Sequence, residues 1–386
     1  MIKSLLKFQV FPFFIALFLL CIYLFVLPDS EFEENRTVIK GEQSRFRGYV
    51  SNLNGTDQDR IDYFASISDS TQITIFGSSE FTASSYQPYH FIPDSFGIPV
   101  FGVGHAYHQR FSILLELLAF YDHIENQKIC IILSPGWFGI GGTNPQAFTE
   151  FARIEFLNAI LLNQEIPAAY KSWLGSRIIK QKESLNQLSP AMKMLSLESD
   201  DSSNWVSNVL FRKHLPALKT TNYEITTKVA KPKGTKVDFD RAEEQVKSLF
   251  ESSVTNNSLW VYDDYYSKYV LDKEGKEKVG QLRPLEVSSD IEYQDFKKLL
   301  RLIKEKKMKA VFVIQGLNSL YYENIKSYDG LIDTLCQDLK MVGCPVLNLW
   351  NSDTADFERG VLKDVMHMGD RGWIKVNQFI AKSFQL

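Results

Sequence analysis

The sequence lacks the motifs that most directly indicate a metal or a cofactor. Its 386 residues include only four cysteines, and no cluster of cysteine and histidine has the spacing of a metal site. The glycine-rich stretch at 133–145, "LSPGWFGIGGTNP", contains neither G-x-x-x-x-G-K-[ST] nor G-x-G-x-x-G, the motifs that bind phosphates. A formal net charge of −3 gives no sign of nucleic-acid binding. We therefore predict a protein that needs no metal and no cofactor and does not bind nucleic acid.

Long apolar runs are also absent, except at the N-terminus. Residues 8–27, "FQVFPFFIALFLLCIYLFVL", carry no charge, and their length suits the roughly 20 residues that cross a bilayer. Lys3 and Lys7 precede the run and an acidic segment follows it, which favours a cytoplasmic N-terminus with the rest of the chain outside. We predict a single-pass cell membrane protein whose residues 1–28 form the cytoplasmic N-terminus and the transmembrane anchor. A cleaved signal peptide is the alternative, but the run is longer than a usual signal core and no small-x-small cleavage site follows it.

The cysteines are too few to form a disulfide framework. Cys21 lies in the apolar run, and Cys130 lies in the apolar stretch "ICIIL" and is expected in the core. Cys336 and Cys344 either pair with each other or remain free thiols, because an oxidising compartment permits disulfides without requiring them.

Five short apolar runs predict the strands of a buried sheet. They are rich in β-branched and aromatic residues and nearly continuous, as in parallel strands covered on both faces. The runs are "QITIFG" (72–77), "IPVFGV" (98–103), "KICIILS" (128–134), "MKAVFVIQ" (308–315) and "CPVLNLW" (344–350). Helical patterns lie between and after them, at 106–125, 292–307, 328–343 and about 371–383. This alternation predicts an α/β fold, a three-layer sandwich around a five-stranded, mainly parallel sheet.

The spacing of the runs also predicts the domain organisation. Residues 29–70 have the composition of a polar stem outside the membrane, and residues 71–386 form the main domain. The third predicted strand ends near residue 134 and the fourth begins near 308, which is too far for a simple connection. We therefore predict an insertion at about 145–290, with helices in its first part.

Two serines follow the first predicted strand immediately. Gly77 ends the strand, and Ser78, Ser79 and Glu80 come next. Parallel sheets bind their ligands at the carboxyl ends of their strands, and a helix that began here would offer backbone N–H groups to an oxyanion. The serine is then either a nucleophile or the N-cap of that helix, and Glu80 is either a supporting residue or a charge that complements the helix dipole.

A base for such a serine lies near the C-terminus. His367 follows the last predicted strand, and Asp364 precedes it by three residues, close enough for the carboxylate to orient the imidazole. The ends of the first and fifth strands meet at the same edge of a parallel sheet, so Ser79 and His367 can meet in space. The alternative for Asp364 and His367 is a solvated pair on a loop.

The loops after the second and third strands supply further candidates. His105 and His108 have the spacing of a metal pair, but no third ligand is evident. Gly104 is typical of a tight turn whose backbone approaches a site closely. Trp137, in "SPGWF" after the third strand, is a candidate wall of the site.

The combination of strand–Gly–x–Ser near the start and Asp-x-x-His near the end resembles the SGNH/GDSL hydrolases, whose fold is flavodoxin-like. "FGSSE" stands where those enzymes carry their Gly-Asp-Ser block, and this alignment makes Ser79 rather than Ser78 the nucleophile. More narrowly, the chain is similar to the DltD family of teichoic acid D-alanylation proteins over most of its length. The motifs are "GSSEF" (77–81), "SPGWF" (134–138), "NNSLWVYDDYYSKYV" (256–270), "SSDIEYQDFKKLL" (288–300) and "DVMHMGDRGW" (364–373).

Some positions depart from the pattern of that family. Gly136 stands where a glutamine is usual between the proline and the tryptophan, and "GHAYHQ" replaces smaller residues. No block-III asparagine aligns, whereas Asn318 in "GLNSLYYEN" resembles the fourth-strand motif and is expected to line the pocket. The oxyanion hole is then assigned to the backbone N–H of Ser79 with Gly104.

The resemblance implies a catalytic triad of Ser79, His367 and Asp364 that transfers D-alanine to a teichoic acid or a similar polyol-phosphate polymer outside the membrane. It also implies a DltB-like membrane-bound O-acyltransferase as partner and, indirectly, a D-alanyl carrier protein. Two alternatives remain open. One is a stand-alone esterase or O-acetyltransferase acting on an envelope polysaccharide, and the other is a non-catalytic scaffold of the D-alanylation complex.

Overall fold

The computed structural model describes residues 11–22, 35–43, 47–50, 57–82, 84–181, 188–198, 219–227, 234 and 237–386. The chain divides into two compact units. The first comprises Met1–Val38 and Ala152–Asn222, and the second comprises Ile39–Phe151 and Tyr223–Leu386. The second unit contains the main sheet.

The main sheet has six strands, and every neighbouring pair is parallel. Its order is β2-β4-β3-β5-β7-β8, while β1 and β6 form a separate two-stranded sheet. The strands are β1 (Asn35–Gln43), β2 (Arg47–Val50), β3 (Ile73–Phe76), β4 (Val100–Val103), β5 (Lys128–Leu133), β6 (Lys219–Thr227), β7 (Lys309–Ile314) and β8 (Val346–Asn348). In the centre of the sheet Phe76 aligns with Val103 on one side and with Ile131 on the other.

All five predicted strands are confirmed as β3, β4, β5, β7 and β8, and their parallel arrangement is confirmed as well. The predicted number of strands was wrong, because β2 adds a sixth strand at the edge beside β4. This strand, "RGYV", comes from within 29–70, the range predicted as a stem. It is too short and too polar to produce an apolar run, and it is an edge strand that pairs with β4 alone in this sheet.

Helices alternate with the strands. The longer ones are α1 (Phe11–Cys21), α2 (Asp57–Ser68), α3 (Pro88–Phe96), α4 (Arg110–Ala119), α5 (Pro145–Phe151), α6 (Ile154–Leu162), α7 (Ala168–Gln181), α8 (Pro190–Glu198) and α9 (Phe239–Ser253), followed after a short turn α10 (Asp263–Tyr265) by α11 (Ile291–Glu305), α12 (Asp329–Met341) and α13 (Asp370–Phe384). The four predicted helical patterns correspond to α4, α11, α12 and α13. Asp290 caps α11 by accepting a hydrogen bond from the Tyr293 N–H at 3.0 Å.

One face of the main sheet packs against α3 and α13. Successive side chains in a strand point to opposite faces, so alternate residues of the three central strands meet these helices. The buried cluster contains Ile73, Ile75, Cys130, Ile132, Val311 and Val313 from the strands and Tyr89, Ile92, Trp373, Val376 and Ile380 from the helices. Among the described residues Trp373 is the largest fully buried side chain, and its burial anchors α13 just after the segment that carries His367.

The opposite face of the sheet is covered by α2 and α11, with α4 packed beside α11. Phe296 of α11 meets Phe312 of β7 edge-on, with ring centroids 6.1 Å apart. The Thr74 hydroxyl of β3 donates to the Ser66 carbonyl of α2 at 2.9 Å. Helices therefore cover both faces, which is the three-layer arrangement expected for a parallel sheet.

The first unit contains α6, α7 and α8, and α8 packs against both of the others. Leu157, Leu174 and Leu195 are fully buried in it. These helices agree with the helical patterns predicted in the first part of the insertion. Much of the rest of the predicted insertion, at 182–187, 199–218 and 228–233, lies outside the described residues.

Only part of the predicted anchor falls within the described residues. The apolar helix α1 covers Phe11–Cys21, whereas 1–10 and 23–34 lie outside them. Among the described residues, no helix has the length and apolar character needed to cross a membrane. All four cysteines are described, and all four are free thiols, including Cys336 and Cys344.

Candidate active site

The turn that carries Ser79 begins where β3 leaves the sheet. The Gly77 N–H still bonds the Val103 carbonyl of β4 at 3.0 Å, and the chain then departs from the ladder. Ser78 is buried and Ser79 is exposed. The prediction of a helix beginning here was wrong, because α3 starts only at Pro88 with Gln87 as its N-cap. Ser79 is therefore not the cap of α3.

The segment that carries His367 lies between β8 and α13. It is closed by an antiparallel bridge between Leu362 and Met368 and by the bond from the Lys363 N–H to the His367 carbonyl at 3.0 Å. The Asp364 carboxylate is held inside this turn. Its Oδ1 accepts from the backbone N–H groups of Met366 and His367 at 2.8 and 2.7 Å.

These elements bring the three predicted side chains into one line. Asp364 Oδ2 lies 2.9 Å from His367 Nδ1, and Ser79 Oγ lies 2.8 Å from His367 Nε2. Because Nδ1 faces a carboxylate, the imidazole proton belongs on Nδ1, which leaves Nε2 free to accept from the serine hydroxyl. This is the pattern by which a histidine removes a proton from an alcohol.

Asp364 has an environment that favours the ionised carboxylate. It is only 5% exposed, and burial alone would raise its pKa. The hydrogen bond and the charge of His367 and the two backbone N–H groups outweigh burial, and the pKa is lowered on balance. The carboxylate is therefore ready to orient the imidazole and to stabilise its protonated form.

Gly104 lies directly against the serine turn. A Cβ atom on Gly104 would lie 2.1 Å from the Gly77 carbonyl oxygen and 3.2 Å from the Ser78 nitrogen, and its φ is +153°. Only glycine fits this close approach. Within the part of the chain that the structure describes, the Ser79 N–H has no hydrogen-bond partner.

The sequence is similar to a family of known proteins over most of its length. Residues 54–385 match the family model "DltD protein". The chain belongs to the DltD family. It is 24% identical over 341 residues to the DltD protein of Bacillus subtilis (strain 168), covering 83% of this chain and 84% of that protein. It is also 24% identical over 284 residues to the DltD protein of Staphylococcus aureus (strain NCTC 8325 / PS 47), covering 69% of each.

Trp137 lies at the same edge of the sheet in this DltD chain. It ends the 3₁₀ turn Pro135–Trp137, which follows β5, the neighbour of β3. Its ring lies 5.6 Å from that of Tyr107, which follows β4 and is 48% exposed. Tyr107 has a φ of +66°, a strained value for a tyrosine and of a kind that collects at functional sites. Trp137 was predicted as a wall of the site, and Tyr107 is an additional candidate for the same wall.

Asn318 does not lie on an open surface. Its side chain is fully buried, with Nδ2 donating to the Leu259 carbonyl at 2.8 Å and Oδ1 accepting from the Leu320 N–H at 2.9 Å. Its own N–H bonds the Val365 carbonyl at 3.0 Å. Asn318 therefore ties the segment after β7 to the triad turn, and both ends of its amide already have hydrogen-bond partners.

The histidine pair after β4 binds carboxylates rather than each other. His105 Nε2 lies 3.3 Å from Glu150, while His108 bonds Glu116 at 3.0 Å and the Gly77 carbonyl at 2.8 Å. Partial burial lowers the pKa of His105 more than Glu150 raises it. Among the described residues, no group of histidine, cysteine and acidic side chains is arranged to hold a metal ion.

Sequence reasoning missed a buried ion pair behind the site. Arg110 Nε lies 2.8 Å from Glu292 Oε1, and both side chains are almost completely buried. The guanidinium also lies 4.8 Å from the centre of the Phe138 ring, next to Trp137. Burial raises the pKa of Glu292 to about 7 although Arg110 lowers it. The detectable signal was an arginine at the start of an apolar helix, since a buried charge needs a partner.

Proposed function

We propose that this chain is a serine-dependent acyl-transfer enzyme of the SGNH type, acting in the D-alanylation of teichoic acid or a related polyol-phosphate polymer. The observation that carries the proposal is the hydrogen-bonded line from Asp364 through His367 to the exposed Ser79, with distances of 2.9 and 2.8 Å. Membership of the DltD family supports D-alanyl as the acyl group.

In the first half-reaction Ser79 Oγ attacks the carbonyl carbon of a D-alanyl ester or thioester, and His367 Nε2 takes the hydroxyl proton. The bond from that carbon to the donor oxygen or sulfur then breaks, and His367 returns the proton to this leaving group. In the second half-reaction an acceptor hydroxyl attacks the D-alanyl-Ser79 ester and gives its proton to His367. Ser79 leaves and regains the proton, so each half-reaction is balanced.

Asp364 holds His367 in the required tautomer through both half-reactions and offsets the charge of the imidazolium. We assign the negative charge of the tetrahedral intermediate to the backbone N–H groups of Ser79 and of Gly104, whose backbone lies directly against the serine turn. Trp137 and Tyr107 form one side of the acceptor site. The proposal needs no metal and no cofactor.

The setting we propose is the outer face of the cell membrane, with residues 1–28 as a single anchor and the main domain outside. A DltB-like membrane-bound O-acyltransferase is the proposed partner. It receives D-alanine that originates on a carrier protein inside the cell. Each D-alanyl ester adds an ammonium group to a polymer of phosphates and weakens its negative field.

The decisive experiment uses a strain that lacks its own DltD protein. Wild-type chain should restore alkali-labile D-alanyl esters to the envelope, Ser79→Ala should not, and Ser78→Ala should still do so. Ser78 is the matched control because its hydroxyl is committed to the His105 carbonyl at 3.1 Å. If Ser79→Ala restored the D-alanyl esters at an equal protein level, catalysis by Ser79 would be rejected. The chain would then be a non-catalytic scaffold of the D-alanylation complex.

A second measurement separates transfer within a D-alanylation complex from stand-alone action. Tagged full-length chain, solubilised in mild detergent, should retain a multi-span acyltransferase during purification. If no such partner is retained, and envelope polysaccharide instead loses or gains O-acetyl groups with Ser79, the chain is a stand-alone esterase or O-acetyltransferase.

A further inference from the structure

The turn that carries Ser79 is built around a single peptide group, the one that joins Gly77 to Ser78. Its carbonyl oxygen accepts a hydrogen bond from His108 Nδ1 at 2.8 Å. Its N–H donates to the Glu80 carboxylate at 2.5 Å. His108 and Glu80 are both only 2% exposed. The peptide group next to the nucleophile is thus held at both ends by buried ionisable side chains.

The sheet itself cannot hold this peptide group. Gly77, the residue after β3, still bonds the neighbouring strand β4, and it does so through its N–H. Hydrogen bonds in which one partner is charged are shorter and stronger than neutral ones. A cationic donor on the carbonyl and an anionic acceptor on the N–H together favour one orientation of the peptide plane. Ser79 is the next residue, so the orientation of this peptide plane determines the direction in which its hydroxyl points.

His108 is equipped to be the cationic member. Its Nε2 lies 3.0 Å from Glu116 and its Nδ1 lies 2.8 Å from the Gly77 carbonyl, and when Glu116 is ionised both of these partners can only accept, so that both ring nitrogens carry protons. Glu116 is buried in α4 and also accepts from the Tyr63 hydroxyl at 2.7 Å. Burial alone would lower the pKa of His108, but Glu116 and the Gly77 carbonyl raise it on balance.

Residues around this peptide group further restrict the conformation of the turn. Gly104 leaves the space in which the Gly77 carbonyl lies, since any Cβ there would collide with it. The Ser78 hydroxyl donates to the His105 carbonyl at 3.1 Å, and Gln87 Nε2 donates to the Glu80 carbonyl at 3.0 Å. Gly77, Ser78 and Glu80 therefore each have hydrogen-bond partners that hold the turn in place.

We propose that His108 and Glu80 are positioning residues that clamp the Gly77–Ser78 peptide and thereby aim Ser79 at His367. They touch neither substrate nor reacting atoms. This inference rests on the proposed function, because it concerns the reactivity of Ser79. It gives a role to Glu80, which the sequence left as either a supporting residue or a capping charge, and to His108, for which the sequence offered only an incomplete metal pair.

Two substitutions of His108 test the hydrogen bonds of Nδ1 and Nε2 separately. In His108→Asn the amide nitrogen occupies the place of Nδ1 and can still donate to Gly77, whereas in His108→Gln it occupies the place of Nε2 and can donate only to Glu116. Both variants remove the charge and the ring. They therefore differ mainly in whether the peptide clamp survives.

The measurement is the rate at which a fluorophosphonate probe labels Ser79 in full-length protein in mild detergent. The proposal expects His108→Gln to lower the rate constant at saturating probe by about 100-fold, because a misaimed nucleophile loses rate rather than binding. His108→Asn should stay within about tenfold of wild type, since loss of one charge-assisted contact costs less. The half-saturating probe concentration should be unchanged in both. A purely structural role would lower both variants alike, in step with their thermal stability.

Glu80 provides the second test, which stands even where a His108 variant does not fold. Glu80→Gln keeps an acceptor oxygen for the Ser78 N–H, whereas Glu80→Ala has none. Glu80→Ala should lose labelling by about 100-fold at saturating probe, and Glu80→Gln should recover most of that loss. Tyr63→Phe, which leaves His108 and Glu116 in contact, is the control expected to label at the wild-type rate.

The outcomes distinguish the two proposals. If wild-type protein labels at Ser79 but the paired variants label equally, the clamp is overturned and the proposed function stands. If wild-type protein is not labelled at Ser79 at all, the proposed function fails and the clamp fails with it. If the labelling rates follow only the melting temperatures of the variants, the residues are structural and the inference is rejected.

Discussion

Ser79 and His367 are 288 residues apart in the sequence, and their Oγ and Nε2 atoms are 2.8 Å apart in the structure. The contact arises because Ser79 follows β3 and His367 follows β8, and all strands of the main sheet run in the same direction. Parallel strands deliver the residues after their carboxyl ends to a common edge. The reactivity we propose for Ser79 depends on this contact and on the groups behind it.

Asp364→Asn tests the orientation of His367. The new amide oxygen can still accept from the backbone N–H groups of Met366 and His367, so the turn should fold. The amide nitrogen would then face Nδ1 and place the ring proton on Nε2, where it blocks acceptance from Ser79. We expect fluorophosphonate labelling of Ser79 to fall by about a thousandfold or more with an unchanged circular dichroism spectrum.

Asp353→Asn is the matched control for that prediction. Asp353 lies in the same connection between β8 and α13, and its carboxylate accepts from the Ala355 N–H at 3.0 Å. It is exposed and lies outside the turn that is closed between Leu362 and Met368. Labelling should stay at the wild-type rate. Equal loss in both variants would show that any lost charge in this connection reduces labelling, and would remove the special role of Asp364.

The strands and the triad were predictable for the same physical reason. A strand buried on both faces must be apolar throughout, so β3, β5 and β7 are visible as continuous apolar runs. The residues that follow such strands are the candidates for a site, which singles out Ser79 and His367. β2 was not predictable in this way, because an edge strand of four residues such as "RGYV" needs no continuous apolar character.

The contact between His108 and Glu116 that supports the serine turn was harder to predict than the triad. His108 and Glu116 lie on either side of the start of α4, and nothing in their spacing indicates that they meet. The usable signal was Glu116 itself, a single acid in the apolar stretch "SILLELLAF". A buried carboxylate needs partners, and Glu116 has His108 as its ionic partner beside the Tyr63 hydroxyl. The helix expected at Ser79 failed because Pro88, favoured at a first helical position, places the start of α3 later.

Gly104→Ala should destabilise the protein and abolish labelling of Ser79. The added methyl would lie 2.1 Å from the Gly77 carbonyl oxygen, which itself cannot retreat without leaving His108. We expect a loss of about 2 kcal/mol or more in the free energy of unfolding, from the clash together with the strained φ. Urea unfolding followed by tryptophan fluorescence measures it.

Gly330→Ala is the contrasting variant for that experiment. Gly330 lies in α12 with no atom within 4 Å of the added Cβ. Alanine there restricts the unfolded chain and should raise the free energy of unfolding by about 0.5 kcal/mol. A Gly104→Ala protein as stable and as reactive as Gly330→Ala would contradict the close approach of Gly104 to the serine turn.

Asn318→Ala should act on stability rather than on the saturated rate. It leaves the Leu259 carbonyl and the Leu320 N–H without their partner, and the free energy of unfolding should fall by about 2 kcal/mol. Asn351→Ala removes a similar pair of bonds, to Asp356 and Asp353, at an exposed site and should change stability by less than about 0.5 kcal/mol. A changed half-saturating probe concentration in Asn318→Ala, with stability intact, would instead place this residue in the pocket.

The pair of His108 and Glu116 should make stability depend on pH in a defined direction. The pKa of His108 is raised in the folded protein, so the folded state holds its proton more tightly than the unfolded state. Its contribution is fully present below the ordinary histidine pKa of about 6.5 and is lost as pH rises through the raised pKa. Glu116 faces the ring directly, Glu80 and His105 lie close enough to act through their charge, and Tyr63 acts through Glu116.

Glu116→Gln removes this contribution and supplies the comparison. Without the carboxylate, burial favours the neutral ring, and the variant should lose most stability, relative to wild type, on the acid side. The difference in the free energy of unfolding between wild type and Glu116→Gln should therefore be largest near pH 6 and shrink towards pH 9. Urea unfolding at four or five pH values measures this difference, with Tyr63→Phe as the variant that keeps the ion pair. A difference that is constant, or that grows with pH, would mean that His108 is neutral in the folded protein and that the Gly77 carbonyl is held by an uncharged donor.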